Sequence, residues 1–177
     1  MIRYYVTDRR QADIVACAER AVLNGVDLIQ IREKDLPARE LLTLICKIRD
    51  LAAGTKTRVL VNDRLDVALA AGIDGVHLPS NGLPANRVRP HVKLLGVSTH
   101  NVQEAMDAER AAADFIVFGP VFDSPGKAAV GLEPLNAVAS SVKIPVLAIG
   151  GVTDANAVEV LNAGAAGIAG IRLFQID

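Results

Sequence analysis

The chain has 177 residues, with 19 Lys and Arg against 20 Asp and Glu, so its formal net charge is -1. That balance excludes the basic footprint of a nucleic-acid binder, and the length predicts one domain, residues 1–177, with a sizeable core. Hydrophobic residues make up 51% but aromatics only 3%, and Trp is absent, so the core is built from Ala, Val, Ile and Leu.

Met1 to Arg10 already carries four charged residues and offers no signal-peptide apolar region. From there, short β-rich runs alternate with helix-like segments. Strands are predicted at Arg3 to Val6, Leu28 to Ile31, Arg58 to Val61, Gly75 to His77, Leu94 to Val97, Phe115 to Phe118, Pro145 to Ile149 and Gly167 to Ile171. Between them, helices are predicted at Ala12 to Asn24, Pro37 to Ala53, Leu65 to Ala71, Leu83 to Arg89, Asn101 to Ala113, Glu133 to Ser140 and Asp154 to Ala163. Cys17 and Cys46 fall in helix-like apolar patterns without CxxC spacing and read as reduced core thiols of a cytoplasmic protein. Val160 to Ile171, the longest charge-free stretch near the C-terminus, falls well short of the roughly 18 apolar residues of a membrane span.

Strict alternation implies parallel strands covered by helices. Eight strands favour a closed (β/α)8 TIM barrel over an open doubly wound sheet, and no GxGxxG follows the first strand. Gly150-Gly151 after strand seven and the Gly-rich stretch from Gly164 to Gly170 occupy positions where such barrels bind phosphate through backbone N–H groups, although glycines also serve tight turns. The chain ends just after strand eight, so the barrel is expected to lack its final outer helix. An apolar strip over strands one and eight, buried in a homodimer, is the expected consequence.

Chemistry in such a barrel belongs at the C-terminal strand ends. Gln30, Arg32 and Lys34 share one side of an extended segment and form a candidate anion clamp, unless Glu33 and Asp35 neutralise it. Asp63, in Asn62-Asp63-Arg64, suits either Mg²⁺ ligation or the N-cap of the next helix, with Asp66 able to share that capping duty. Ser98-Thr99-His100 brings a hydroxyl and a candidate proton shuttle or an exposed capping His. His77 reads as a buried structural His and His91 as surface. Lys127 sits in a long loop after strand six that does not match a P-loop, because Ala128 replaces its Ser or Thr; a lid carrying one cation fits better.

Taken in order, RYYVTD (3–8), IQIREKD (29–35), VNDRLDVALAAGIDGVHLP (61–79), GVSTHN (96–101), ADFIVFGPVFDSPGK (113–127), GLEPL (131–135) and IPVLAIGGVT (144–153) resemble the thiamine phosphate synthase and TenI family. The resemblance implies a transferase of thiamine biosynthesis that joins hydroxymethylpyrimidine diphosphate to thiazole phosphate and releases pyrophosphate. By motif, Gln30, Arg32, Lys34 and Asn62 would bind the pyrimidine diphosphate, Asp63 would ligate Mg²⁺, and Ser98, Ser124 and Lys127 would lie against pyrophosphate. Gly151 and the backbone around Ile171 would take the thiazole phosphate. Lys34, Lys127, Ser98 and His100 are the candidate catalytic residues.

The chain departs from that pattern at three places. Gly82 stands where the synthases carry a second magnesium carboxylate, leaving Asn81, waters and the diphosphate to complete the shell. Ser124 and Gly126 replace two Thr of the lid, and Arg172 replaces a phosphate-binding Ser and would contact the thiazole phosphate directly instead. The LPS run after strand four resembles the TenI branch, which implies a metal-free thiazole tautomerase working through His100 as the alternative. A non-catalytic regulatory barrel that keeps the thiazole phosphate pocket is the third reading.

Overall fold

A computed structural model describes residues 1–175. Strands β1 (Ile2–Val6), β2 (Leu28–Ile31), β3 (Arg58–Asn62), β4 (Gly75–Leu78), β5 (Leu94–Thr99), β6 (Phe115–Phe118), β7 (Val146–Ala148) and β8 (Gly167–Gly170) pair in parallel, each with the next. The register of β1 on β8, Tyr4 opposite Ala169 and Tyr5 opposite Gly170, closes the barrel. Helices α1 (Ile14–Leu23), α2 (Ala38–Ala52), α3 (Leu65–Ala71), α4 (Ala85–Val88), α5 (Val102–Arg110), α6 (Leu132–Ser141) and α7 (Ala157–Asn162) form the outer ring. Among the described residues no helix is long and apolar enough to cross a membrane.

Side-chain caps set the starts of α1 and α5. Asp13 accepts from the N–H groups of Val15 and Ala16 to open α1, and Asn101 and Glu104 bond reciprocally at the start of α5. The start of α7 lies later than Asp154 because Thr153 and Asn156 satisfy each other's N–H groups in a preceding loop. In the opposite sense, β3 and β5 run past their apolar patterns to take in Asn62, Ser98 and Thr99. Those polar residues therefore stand on rigid strand ends.

After β8 the described residues form one helical turn, α8 (Arg172–Gln175). This turn suffices to cover β1: Phe174 lies 5.4 Å from the Tyr5 ring, and the Arg3 guanidinium sits 5.3 Å over Phe174. Tyr5 and Ile168 are fully buried. The apolar strip expected over strands one and eight does not form, which removes that reason for expecting a dimer.

Inside the barrel, alternate side chains must fill a narrow space with few aromatics to do it. Tyr4, His77 and Phe115 supply the bulk: Tyr4 meets Phe115 edge-to-face at 5.4 Å, and His77 lies 5.8 and 6.0 Å from the two rings. Two inward glycines make the room. A Cβ on Gly96 would sit 2.4 Å from Phe115 Cζ and 2.7 Å from His77 Nδ1, and one on Gly75 would sit 2.5 Å from Leu60 Cγ. Around this plug, apolar faces of α1–α3 and of α5–α7 pack on the outward strand residues, with Ala18, Ala21, Ala68, Ala105 and Ala108 letting the helices approach closely.

Two predictions follow from the plug. Gly96→Ala should destabilise the protein by about 1–3 kcal/mol through overpacking, read as a lower urea midpoint at constant m-value; an unchanged midpoint would show that the plug yields freely. Burial, with the Arg32 charge second, lowers the His77 pKa to about 3, against 6.5 for the free side chain. Between those values the unfolded chain binds a proton that the folded one does not. Stability present in full above pH 6.5 should fall on acidification, by up to about 1.4 kcal/mol per pH unit from this group. Unfolding free energies between pH 7.5 and pH 5 should lose part of that slope in His77→Gln, and an identical slope in the variant would contradict the assignment.

Candidate functional site

At the end of β2 four neighbouring charges, Arg32, Glu33, Lys34 and Asp35, are separated by their partners. Glu33 is buried, accepting the Thr7 hydroxyl proton at 2.6 Å and the N–H of Arg9 with both oxygens at 3.2 Å. Asp35 pairs with Arg9 at 3.0 Å. Neither carboxylate is thus paired with Arg32 or Lys34, and among the described residues the charged ends of these two cations have no ion pair or hydrogen bond. Lys127, on the loop after β6, comes near enough to join Arg32 in lowering the Lys34 pKa; Arg32 is the larger cause, burial adds to it, and Asp63 opposes it. Elsewhere around the mouth Arg10 and Arg64 are neutralised by Asp8 and Asp66. Among the described residues, positive charge without an ion-paired or hydrogen-bonded carboxylate is therefore gathered at Arg32, Lys34 and Lys127, with Asp63 beside it, a distribution that favours an anion of more than one charge.

Asp63 stands next to these cations with backbone φ of 61°, an uncommon conformation for a side-chain-bearing residue, held by its N–H donating to the His77 carbonyl at 2.9 Å. Its carboxylate does not cap α3, whose N-cap is Arg64 without a side-chain bond; Arg64 is instead held by Asp66. The Asp63 carboxylate has no hydrogen bond or ion pair among the described residues. It lines a cavity of about 290 Å³ together with Lys34, Asn62, Pro79 and Asn81. Gly82 closes on it from the loop after β4, where a Cβ would lie 2.8 Å from Asp63 Oδ1 and 2.9 Å from Pro79 Cδ. Position 82 is thus beside the carboxylate, and glycine supplies no second one. No group of three His, Cys, Asp or Glu side chains poised for a metal occurs among the described residues.

On the far side, Ser98 is half-buried and its Oγ lies 2.8 Å from His77 Nε2. His100 is exposed at the rim: its N–H donates to Glu104, and its Nδ1 lies 3.1 Å from the Gly119 carbonyl oxygen. It does not line the cavity beside Asp63. Ser124 and Lys127 exchange backbone hydrogen bonds at 3.1 and 2.9 Å across Pro125-Gly126, the turn residues a tight reversal needs. That turn carries Lys127 at its end.

Gly150 and Gly151 follow β7 with φ of 93° and 62°. A Cβ on Gly151 would meet the Asp123 carbonyl oxygen at 2.5 Å, so glycine lets the loop after β6 lie directly on it. Ile171 and Arg172 follow β8 next to this turn, Arg172 being exposed. The expected residues are therefore gathered at one end of the barrel, with His100 displaced to the rim.

Sequence reasoning did not anticipate the floor of this mouth. Gln30 Nε2 donates to Tyr4 Oη at 2.9 Å, and that hydroxyl lies 3.2 Å from His77 Nδ1, joining both to Ser98. The inward alternation of Tyr4, Gln30, His77 and Ser98 was the available signal.

The chain matches the family model described as thiamine monophosphate synthase over residues 3–174. It is 48% identical to a Geobacter sulfurreducens protein named provisionally as a thiamine-phosphate synthase, across 98% of this chain and 86% of that one. With the thiamine-phosphate synthase of Chloroflexus aurantiacus it shares 41% identity, across 94% and 81%. The solved thiamine phosphate pyrophosphorylase of Pyrococcus furiosus superposes with a TM-score of 0.92 at 37% identity, covering 99% of this chain and 88% of its own. With the match running through all eight strands and every loop at the mouth, the chain belongs to the thiamine monophosphate synthase family.

Proposed function

We propose that the protein is a thiamine-phosphate synthase acting on hydroxymethylpyrimidine diphosphate and thiazole phosphate. The observation that carries this reading is the set of cations Arg32, Lys34 and Lys127, which have no ion pair among the described residues, around the Asp63 carboxylate, which has none there either. In the reaction the bond from the pyrimidine methylene carbon to the diphosphate oxygen breaks with its electron pair leaving on oxygen. The thiazole nitrogen lone pair then forms the new carbon–nitrogen bond. No strong base is needed; what is needed is stabilisation of the departing charge and alignment of two substrates.

Arg32 and Lys34 would hold the diphosphate from the β2 side and Lys127 from the lid, offering a planar fork and two point charges. Gln30 and Asn62, at the ends of β2 and β3, would orient the pyrimidine. Ser98 and Ser124 would add hydroxyls on the pyrophosphate. The N–H groups around Gly151 and Ile171, with the Arg172 cation, would receive the thiazole phosphate. The Asp63 carboxylate and the amide oxygens of Asn62 and Asn81 are hard donors that fit Mg²⁺ carried in with a diphosphate, since this ion commonly takes one or two protein carboxylates and completes its shell with phosphate and water. When bound there it would neutralise diphosphate charge and make pyrophosphate a better leaving group. The tautomerase alternative draws less support, because His100 stands at the rim with its Nδ1 against a carbonyl oxygen.

With both substrates and Mg²⁺, the purified protein should form thiamine phosphate. EDTA should abolish the product, and Asp63→Ala and Lys127→Ala should each lower kcat/KM on the order of a hundredfold. Arg172→Ala should raise KM for thiazole phosphate. A folded protein that makes no product but isomerises the thiazole carboxylate phosphate in EDTA, and loses that activity in His100→Ala, would replace the synthase reading with the tautomerase.

A further inference from the structure

We infer that His77 is a positioning residue: a one-way chain of hydrogen bonds, Gln30 to Tyr4 to His77 to Ser98, fixes the Ser98 hydroxyl as a donor to the anion at the barrel mouth. The inference rests on the proposed function in one respect, that the anion beside Ser98 is the pyrophosphate group.

The direction follows from counting protons. The Gln30 amide nitrogen can only donate, so at 2.9 Å the Tyr4 oxygen accepts from it. Tyr4 is fully buried, and its own proton needs an acceptor; His77 Nδ1 stands 3.2 Å away. Were Nδ1 to carry the imidazole proton instead, Tyr4 would accept twice and its hydroxyl proton would be stranded in a dry interior. Nδ1 is therefore bare and the proton is on Nε2. Burial keeps the ring neutral, with one proton to place. Nε2–H then donates to Ser98 Oγ at 2.8 Å, which occupies the hydroxyl from below and leaves its hydrogen to point elsewhere.

Of the four residues, Ser98 is the half-exposed one, so the chain runs from the closed interior to the open mouth. The Arg32 charge acts on His77, so a cation stands near enough to this chain to share an anion with it. A hydroxyl oriented as a donor gains strength as negative charge builds on the departing group, so the chain favours the transition state over the bound ester. The reverse chain would point the Ser98 proton inward and present lone pairs to an anion.

Nitrogen-15 NMR of the histidine rings, with His77 assigned by its absence in His77→Gln, should show protonated Nε2 and bare Nδ1 in the free protein. Calorimetry with pyrophosphate at fixed Mg²⁺ gives the second measurement. Ser98→Ala and His77→Met should each weaken binding roughly tenfold, the loss of one hydrogen bond to a charged group. The double variant should be no weaker than either single one, and His77→Gln, whose side-chain amide still donates, should recover most of the affinity. A proton on Nδ1, or wild-type affinity in a folded His77→Met, overturns the chain alone. A wild-type protein that ignores pyrophosphate while showing Nε2–H overturns the site reading and, with it, the role given to the chain.

Discussion

Filling the barrel interior with three rings is the constraint from which the site geometry descends. Tyr4, Phe115 and His77 come from β1, β6 and β4, and they fit because the inward positions at Gly75 and Gly96 carry no side chain. A chain this poor in aromatics thus concentrates two of them at the centre of its fold. Two of the rings also have a consequence at the mouth. The polar atoms of Tyr4 and His77 form the floor on which Gln30 and Ser98 rest, so packing below and recognition above are joined through the same side chains.

A second organising effect is the redistribution of charge around the rim. Carboxylates adjacent in sequence to the clamp are drawn to the loop after β1, Glu33 by Thr7 and the Arg9 N–H, and Asp35 by the Arg9 guanidinium. The cations left behind have no partner to lose when an anion arrives, so binding costs no broken ion pair. Asp63 is in the same position with opposite sign. A protein of net charge -1 thereby presents a locally cationic mouth with the Asp63 carboxylate beside the cations.

The described turn α8 shows how few residues can cover a strand. Phe174 covers Tyr5 with the Arg3 guanidinium over its own ring, and the Gln175 amide donates to the Asp8 carbonyl at 2.9 Å, fastening the end of the described chain to the loop after β1. Long amphipathic side chains can shield apolar surface while their charged ends stay wet. Sequence length alone suggested an exposed strip because it counts helices and not the reach of individual side chains.

Periodicity and spacing in the sequence by themselves determined the eight-strand alternation and the strand ends at which Arg32, Lys34, Asp63 and Ser98 stand, with Lys127 in the loop after the sixth strand, because alternation in a strand assigns side chains to faces before any fold is known. The motifs also located Gly82 as a missing carboxylate. What remained open in sequence was decided by neighbours distant along the chain. Whether Glu33 neutralises Arg32 depended on Thr7 and Arg9; whether Asp63 caps α3 depended on its φ and on the Arg64–Asp66 pair; and whether His77 is merely buried depended on Tyr4 and Ser98. Those are choices of hydrogen-bond partner, and a side chain's partner is set by which strands the closed barrel brings together, a geometry that exists only after β1 meets β8.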